Sequence, residues 1–89
     1  MKEFEQRGRT LRAQAKALVL EFMQASTDCR PGGPGVRLSP IFRACGFDWG
    51  SYKNATPSNQ QYWVVALMRE LEAEGKAERV SPSGPWRLR

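Results

Sequence analysis

The stretch Pro31-Gly32-Gly33-Pro34-Gly35 constrains this chain more than any other feature, because no helix can run through it. Each proline removes an amide donor, and each glycine adds backbone freedom that a helix would have to freeze. Whatever precedes the stretch must therefore end before it, and whatever follows must start afresh. The chain has 89 residues, enough for one domain over 1–89 and too few for a second core.

Upstream, the residues read as one helix over about 9–26, with 1–8 expected as a frayed N-terminal extension in which Gly8 weakens the first turn. Phe4, Leu11, Ala15, Leu18 and Phe22 recur at three-to-four spacing as its apolar stripe, with Val19 and Met23 on the flank. Ser26, Thr27 and Asp28 close it. Downstream, Val36-Arg37-Leu38 alternates as a short strand. Ser39-Pro40 then combines a capping hydroxyl with a first-turn proline, and Ile41, Phe42, Ala44 and Cys45 give a short helix one apolar side before Gly46. After a connection from Phe47 to Ala55, Thr56-Pro57 repeats the cap-and-proline signal. A third helix follows, with Trp63, Val64, Leu67, Met68 and Leu71 as its buried stripe and Gly75 as its end. Lys76–Val80 and Pro85–Arg89 read as two strands joined by turn chemistry at Ser81-Pro82-Ser83-Gly84. The expected class is mainly α with a small β-hairpin (α+β).

The order helix, short strand, helix, helix, strand, wing, strand resembles the winged-helix (winged helix-turn-helix) DNA-binding family. The resemblance rests on the strand leading into Leu38-Ser39-Pro40-Ile41 and on the helix pair. It rests further on LMRELEAEGKAERV from Leu67 to Val80, where Leu67, Leu71 and Gly75 match the family's helix end, and on the closing GPWRLR. These letters are mostly structural and identify a fold more firmly than a function.

Charge adds a separate argument. Fourteen Lys and Arg face nine Asp and Glu, a formal net charge of +5, and arginine's planar fork suits phosphates and guanine edges. The resemblance implies that the third helix enters the major groove of double-stranded DNA with its first turns. Those turns hold Thr56, Ser58, Asn59, Gln60 and Gln61, whose amides and hydroxyls can bond base edges, with Lys53 and Asn54 just before them. The wing would bring Arg79, Arg87 and Arg89 to the backbone, Arg87 and Arg89 alternating away from Trp86 and Leu88. A small transcriptional regulator or mobile-element accessory factor is the expected role. Site selection by so small a unit favours a homodimer, for which the end of helix one around Phe4 and Leu11 is the expected interface. Arg9, Arg12 and Lys16 form a basic stripe on that helix, read either as a solvated face or as a DNA contact. Glu70, Glu72 and Glu74 oppose DNA at the far end of helix three, and Arg69 among them could reach the backbone or neutralise a neighbour.

The alternative is a winged-helix protein–protein adaptor that binds no nucleic acid. Trp49, Tyr52 and Tyr62 could form its aromatic patch, and helix three lacks an Arg or Lys in its first two turns. Catalysis finds no support: with no histidine, Cys29 and Cys45 have no partner for nucleophilic chemistry or a zinc site, so no metal, cofactor or small-molecule ligand is expected. The Pro31–Gly35 stretch lacks the lysine and hydroxyl of a phosphate-binding loop. No apolar run approaches the ~20 residues of a membrane span, and a cytoplasmic protein with reduced thiols is expected.

Overall fold

The computed structural model describes residues 2–47, 61–82 and 84–89. Among them the chain forms three helices, α1 (Lys2–Ala25), α2 (Leu38–Ala44) and α3 (Gln61–Ala73), and two antiparallel strands, β1 (Ala77–Arg79) and β2 (Trp86–Leu88). It is a mainly helical α+β arrangement.

α1 starts at Lys2 rather than near residue 9, so the segment expected to fray is helical. Glu3 and Glu5 in its first turn favour the positive end of the helix dipole, and Glu5 sits 3.9 Å from Arg9 one turn on. Those local terms, with the alanine-rich centre, outweigh the ~1 kcal/mol that a mid-helix glycine costs at Gly8. The face turned to the core also differs from expectation. Val19 and Met23, assigned to the flank, are fully buried, whereas Phe4, Leu11 and Leu18 are 57%, 66% and 41% exposed. Two apolar stripes lie side by side on this helix. Ala15 and Phe22 of the expected stripe are half-buried against the core, so that stripe meets the rest of the protein in part, while Phe4, Leu11 and Leu18 do not join the core. Every residue from Lys2 to Gln14 is exposed.

After a 3-10 turn at Thr27–Cys29, the proline-glycine stretch folds back on itself: the Gly33 and Gly35 amides donate to the carbonyls of Arg30 and Asp28, both at 2.8 Å. Gly35 has φ +83°, and a Cβ there would stand 2.9 Å from the Trp86 carbonyl oxygen. Only glycine allows this approach, and the approach lets Val36 and Trp86 exchange two backbone hydrogen bonds of 2.8 Å. The expected strand at Val36-Arg37-Leu38 thus shrinks to a single bridge at Val36, because Leu38 already belongs to α2. Arg37, not Ser39, occupies the N-cap of α2 without a side-chain cap, and Ser39 and Pro40 lie within its first turn. Proline is tolerated there, where helix amides have no internal partner.

The core gathers Val19 and Met23 of α1, Cys29, Ile41 and Phe42 of α2, Val64, Leu67, Met68 and Leu71 of α3, and Ala77 and Trp86 of the hairpin. All except Trp63 of the stripe expected on α3 are buried; Trp63 is half-buried and packs at its edge. There Phe42, Phe47 and Trp63 form an aromatic trio with ring centroids 5.2–5.9 Å apart and tilted or edge-on planes, the favourable geometry for such rings. α3 ends at Gly75 (φ +75°), and the hairpin follows at once. Its register pairs Ala77 with Leu88, Glu78 with Arg87 and Arg79 with Trp86.

Candidate nucleic-acid interface

Directly opposed residues of an antiparallel pair project to the same side, so the hairpin register decides which of its arginines can act together. Arg79 shares a side with Trp86, whose ring lies 5.5 Å below its guanidinium carbon. Arg87 shares the opposite side with Glu78. The two arginines treated alike in the sequence are therefore divided between the hairpin's faces.

Arg87 is held within the fold. Its Nε donates to the Glu78 carboxylate at 2.7 Å and its Nη1 to the Gly33 carbonyl at 2.9 Å. Those bonds tie the proline-glycine loop to β2, and a phosphate would have to displace Glu78 to reach this side chain. Arg89 is exposed at the end of the chain.

Arg79 faces a cleft. Between the start of α2, the outer edge of α3 and the hairpin lies an open cavity of about 390 Å³, lined by Arg37, Ser39, Val65, Arg69, Arg79 and Trp86 among others. Its three arginines come from three separate parts of the chain, and among the described residues no carboxylate lines it. Arg79 is positioned by the Trp86 ring, by a 3.0 Å bond to the Pro82 carbonyl and by Glu72 at 3.3 Å. Arg69, exposed on the helix, reaches the same Glu72 at 3.5 Å. Arg37 makes no ion pair among the described residues. Two of the three guanidinium groups thus share the Glu72 carboxylate and the third has no acidic partner among the described residues, which leaves the cleft positive. Its dimensions and its bidentate donors suit a phosphodiester oxygen pair.

The basic stripe on α1 behaves oppositely. Lys16 Nζ donates to Glu70 at 3.0 Å and to Glu74 at 2.5 Å, and Arg12 lies 3.5 Å from Glu70. The hydrogen bonds to Glu74 and Glu70 raise the Lys16 pKa above its ordinary 10.5, and the bond from Lys16 lowers Glu74 below 4.5. Glu70 and Glu74, at and just beyond the end of α3, are thus turned toward α1 and clasp the two elements, whereas Glu72 faces Arg69 and Arg79. Burial raises both thiols, Cys29 and Cys45, above their ordinary value of 9.0, so neither is an activated nucleophile.

Of the residues singled out in the sequence, Lys53, Asn54, Thr56, Ser58, Asn59 and Gln60 lie outside the described residues, as do Trp49 and Tyr52; Gln61 opens the described part of α3. In the sequence Arg37 is only the polar middle of Val36-Arg37-Leu38, and Arg69 stands beside glutamates it can equally well neutralise. Their signal is spatial: residues 37, 69 and 79 show no common spacing, and only the packing of α2, α3 and the hairpin brings them together. Among the described residues no three Cys, Asp or Glu side chains cluster as metal ligands, and no helix is long and apolar enough to cross a membrane. No protein-family model matches the chain, and no curated protein or solved structure matches it.

Proposed function

We propose that this chain is a winged-helix protein that binds double-stranded DNA, with the β1–β2 hairpin as the wing and a backbone phosphate seated in the Arg37–Arg69–Arg79 cleft. The cleft carries the reading: three arginines converge on one concave surface with a single carboxylate beside them. The element order from α1 to the hairpin supports it. In this reading the polar segment from Thr56 to Gln61, expected from the sequence to open helix three, would meet base edges in the major groove, and the cleft would fix register on the backbone. A regulatory or mobile-element accessory role follows from sequence-directed binding without a catalytic centre.

The test is fluorescence anisotropy with a labelled random-sequence duplex over a salt series. Micromolar or tighter binding, with a log–log salt slope of several units, is expected, because each neutralised phosphate contributes about 0.9 to that slope. Replacing Asn59 or Gln60 with alanine should relax sequence choice by about 1–3 kcal/mol per bidentate contact while leaving the slope intact. No binding at low salt overturns the reading in favour of an adaptor.

A further inference from the structure

The exposed half of α1 has a pattern that the fold leaves unused. Phe4, Leu11 and Leu18, three of the largest exposed apolar side chains, stand seven residues apart and so form one stripe. Four residues after Phe4 and Leu11 come Gly8 and Ala15, both small, and the space around Gly8 is open. Large and small residues alternating at heptad spacing are a seam for a second helix. The stripe runs into a cavity of about 390 Å³ between α1 and α3, walled mainly by Leu11, Ala15, Trp63, Ala66 and Leu67.

We propose that a second copy of this chain covers the stripe, the two α1 helices pairing antiparallel about a two-fold axis near Arg9 and Thr10. In that register Phe4 of each copy lies opposite Ala15 of the other, at the mouth of the α1–α3 cavity, and Leu11 lies opposite Gly8. In both of these layers a large side chain meets a small one, and Phe4 fills a hollow that α1 and α3 leave open. This surface is separate from the arginine cleft, and its occupation does not depend on DNA binding.

Charge selects both the partner and the direction. Glu5 and Arg12 flank the seam on one side, and the antiparallel register sets Glu5 of each copy against Arg12 of the other, giving two complementary pairs by symmetry. A parallel pair would instead bring Arg7 against Arg12, like against like, on both sides. Within one chain Arg12 lies near Glu70, which keeps Lys16 at 3.0 Å when Arg12 turns to the second copy. A two-fold dimer would also present two clefts in the symmetry that a palindromic site displays.

Sedimentation equilibrium of the full chain, without DNA, tests this. Wild type should show a monomer–dimer equilibrium in the micromolar range. Phe4→Ala with Leu11→Ala should shift it to monomer with an unchanged circular dichroism spectrum, since both residues are exposed within one chain. Glu5→Arg alone and Arg12→Glu alone should each be monomeric, while an equimolar mixture of the two should regain dimer mass, because only the mixed pair restores both opposed charges. A wild type that stays monomeric across the concentration range overturns the proposal. So does a dimer indifferent to the Phe4 and Leu11 substitutions, or a mixture that remains monomeric.

Discussion

Arg12 and Lys16 on α1 and Arg37, Arg69 and Arg79 around the cleft are equivalent in composition but not in circumstance. The α1 cations meet Glu70 and Glu74, two carboxylates for two cations. Among the described residues Arg69 and Arg79 share Glu72 and Arg37 pairs with no carboxylate. An ion pair already satisfied has little electrostatic potential left for a ligand, whereas an excess of guanidinium on a concave wall concentrates it. Net charge therefore says that a partner could be acidic, and pairing says where it would sit.

The largest effect should come from the cleft. Arg37→Ala combined with Arg69→Ala removes two phosphate donors at exposed positions, so folding should be nearly unaffected. Charge-assisted hydrogen bonds contribute roughly 1.5–3 kcal/mol each, so affinity for duplex DNA should fall about tenfold per arginine or more. The salt slope should become shallower by about two units. Arg9→Ala with Arg12→Ala removes the same formal charge from α1 and should change both quantities far less. Equal losses from the two double variants, measured by anisotropy, would erase the distinction between the regions.

A smaller effect, on stability rather than binding, is expected from the clasp. Lys16 is largely covered and contacts two carboxylates from another helix. Lys16→Met keeps the aliphatic stem but removes the one cation shared by Glu70 and Glu74, leaving Arg12 beside the first and Lys76 beside the second, so a small destabilisation is expected. Thermal denaturation should show a fall of at most a few degrees. Affinity for DNA should not move.

How far the sequence could reach is clearest in α1 and in the loop after it. The helical period, the break at Pro31–Gly35, the buried stripe of α3 and the hairpin were legible, because they depend on local backbone chemistry and on one face of one element. The choice between two adjacent apolar stripes on α1 was not. Val19 and Met23 face the core because α2 and α3 pack against that side, which no spacing within α1 records. The single-residue bridge at Val36 likewise depends on the approach of Gly35 to Trp86 across the fold. The candidate cleft was legible only in part: Arg79, singled out in the sequence, lines it, Arg87 is bound to Glu78 and Gly33 instead, and Arg37 carries no sequence signal that points there.

Glu72 offers a finer probe of the cleft. It holds Arg69 and Arg79 at 3.5 and 3.3 Å, competing with any anion for both. Glu72→Gln keeps the shape and removes the competing charge. Affinity for DNA should rise a few-fold, as expected for an exposed pair worth roughly 0.2–1 kcal/mol. The steepest salt slope should be kept. A loss of affinity on this change would mean that Glu72 positions the arginines for the phosphate rather than competing with it.

The smallest expected effect is the pH dependence of the clasp, and it separates the two basic regions without changing a residue. Lys16 has its pKa raised in the folded protein by Glu74 and Glu70, so its contribution is complete below 10.5 and is lost as pH rises through the higher folded value. Glu74 has its pKa lowered, chiefly by Lys16, so its contribution is complete above 4.5 and disappears as pH falls through the lower folded value. The clasp should therefore be at full strength from about pH 4.5 to pH 10.5 and weaken on either side. Lys16→Met should flatten both edges of the melting-temperature profile and lower the plateau between them. Arginine keeps its charge throughout that window, so the cleft's affinity for DNA should not follow the clasp. A wild-type profile whose acid and alkaline edges survive Lys16→Met unchanged would show that other groups set the pH limits and that the α1 cations contribute little more than a solvated surface.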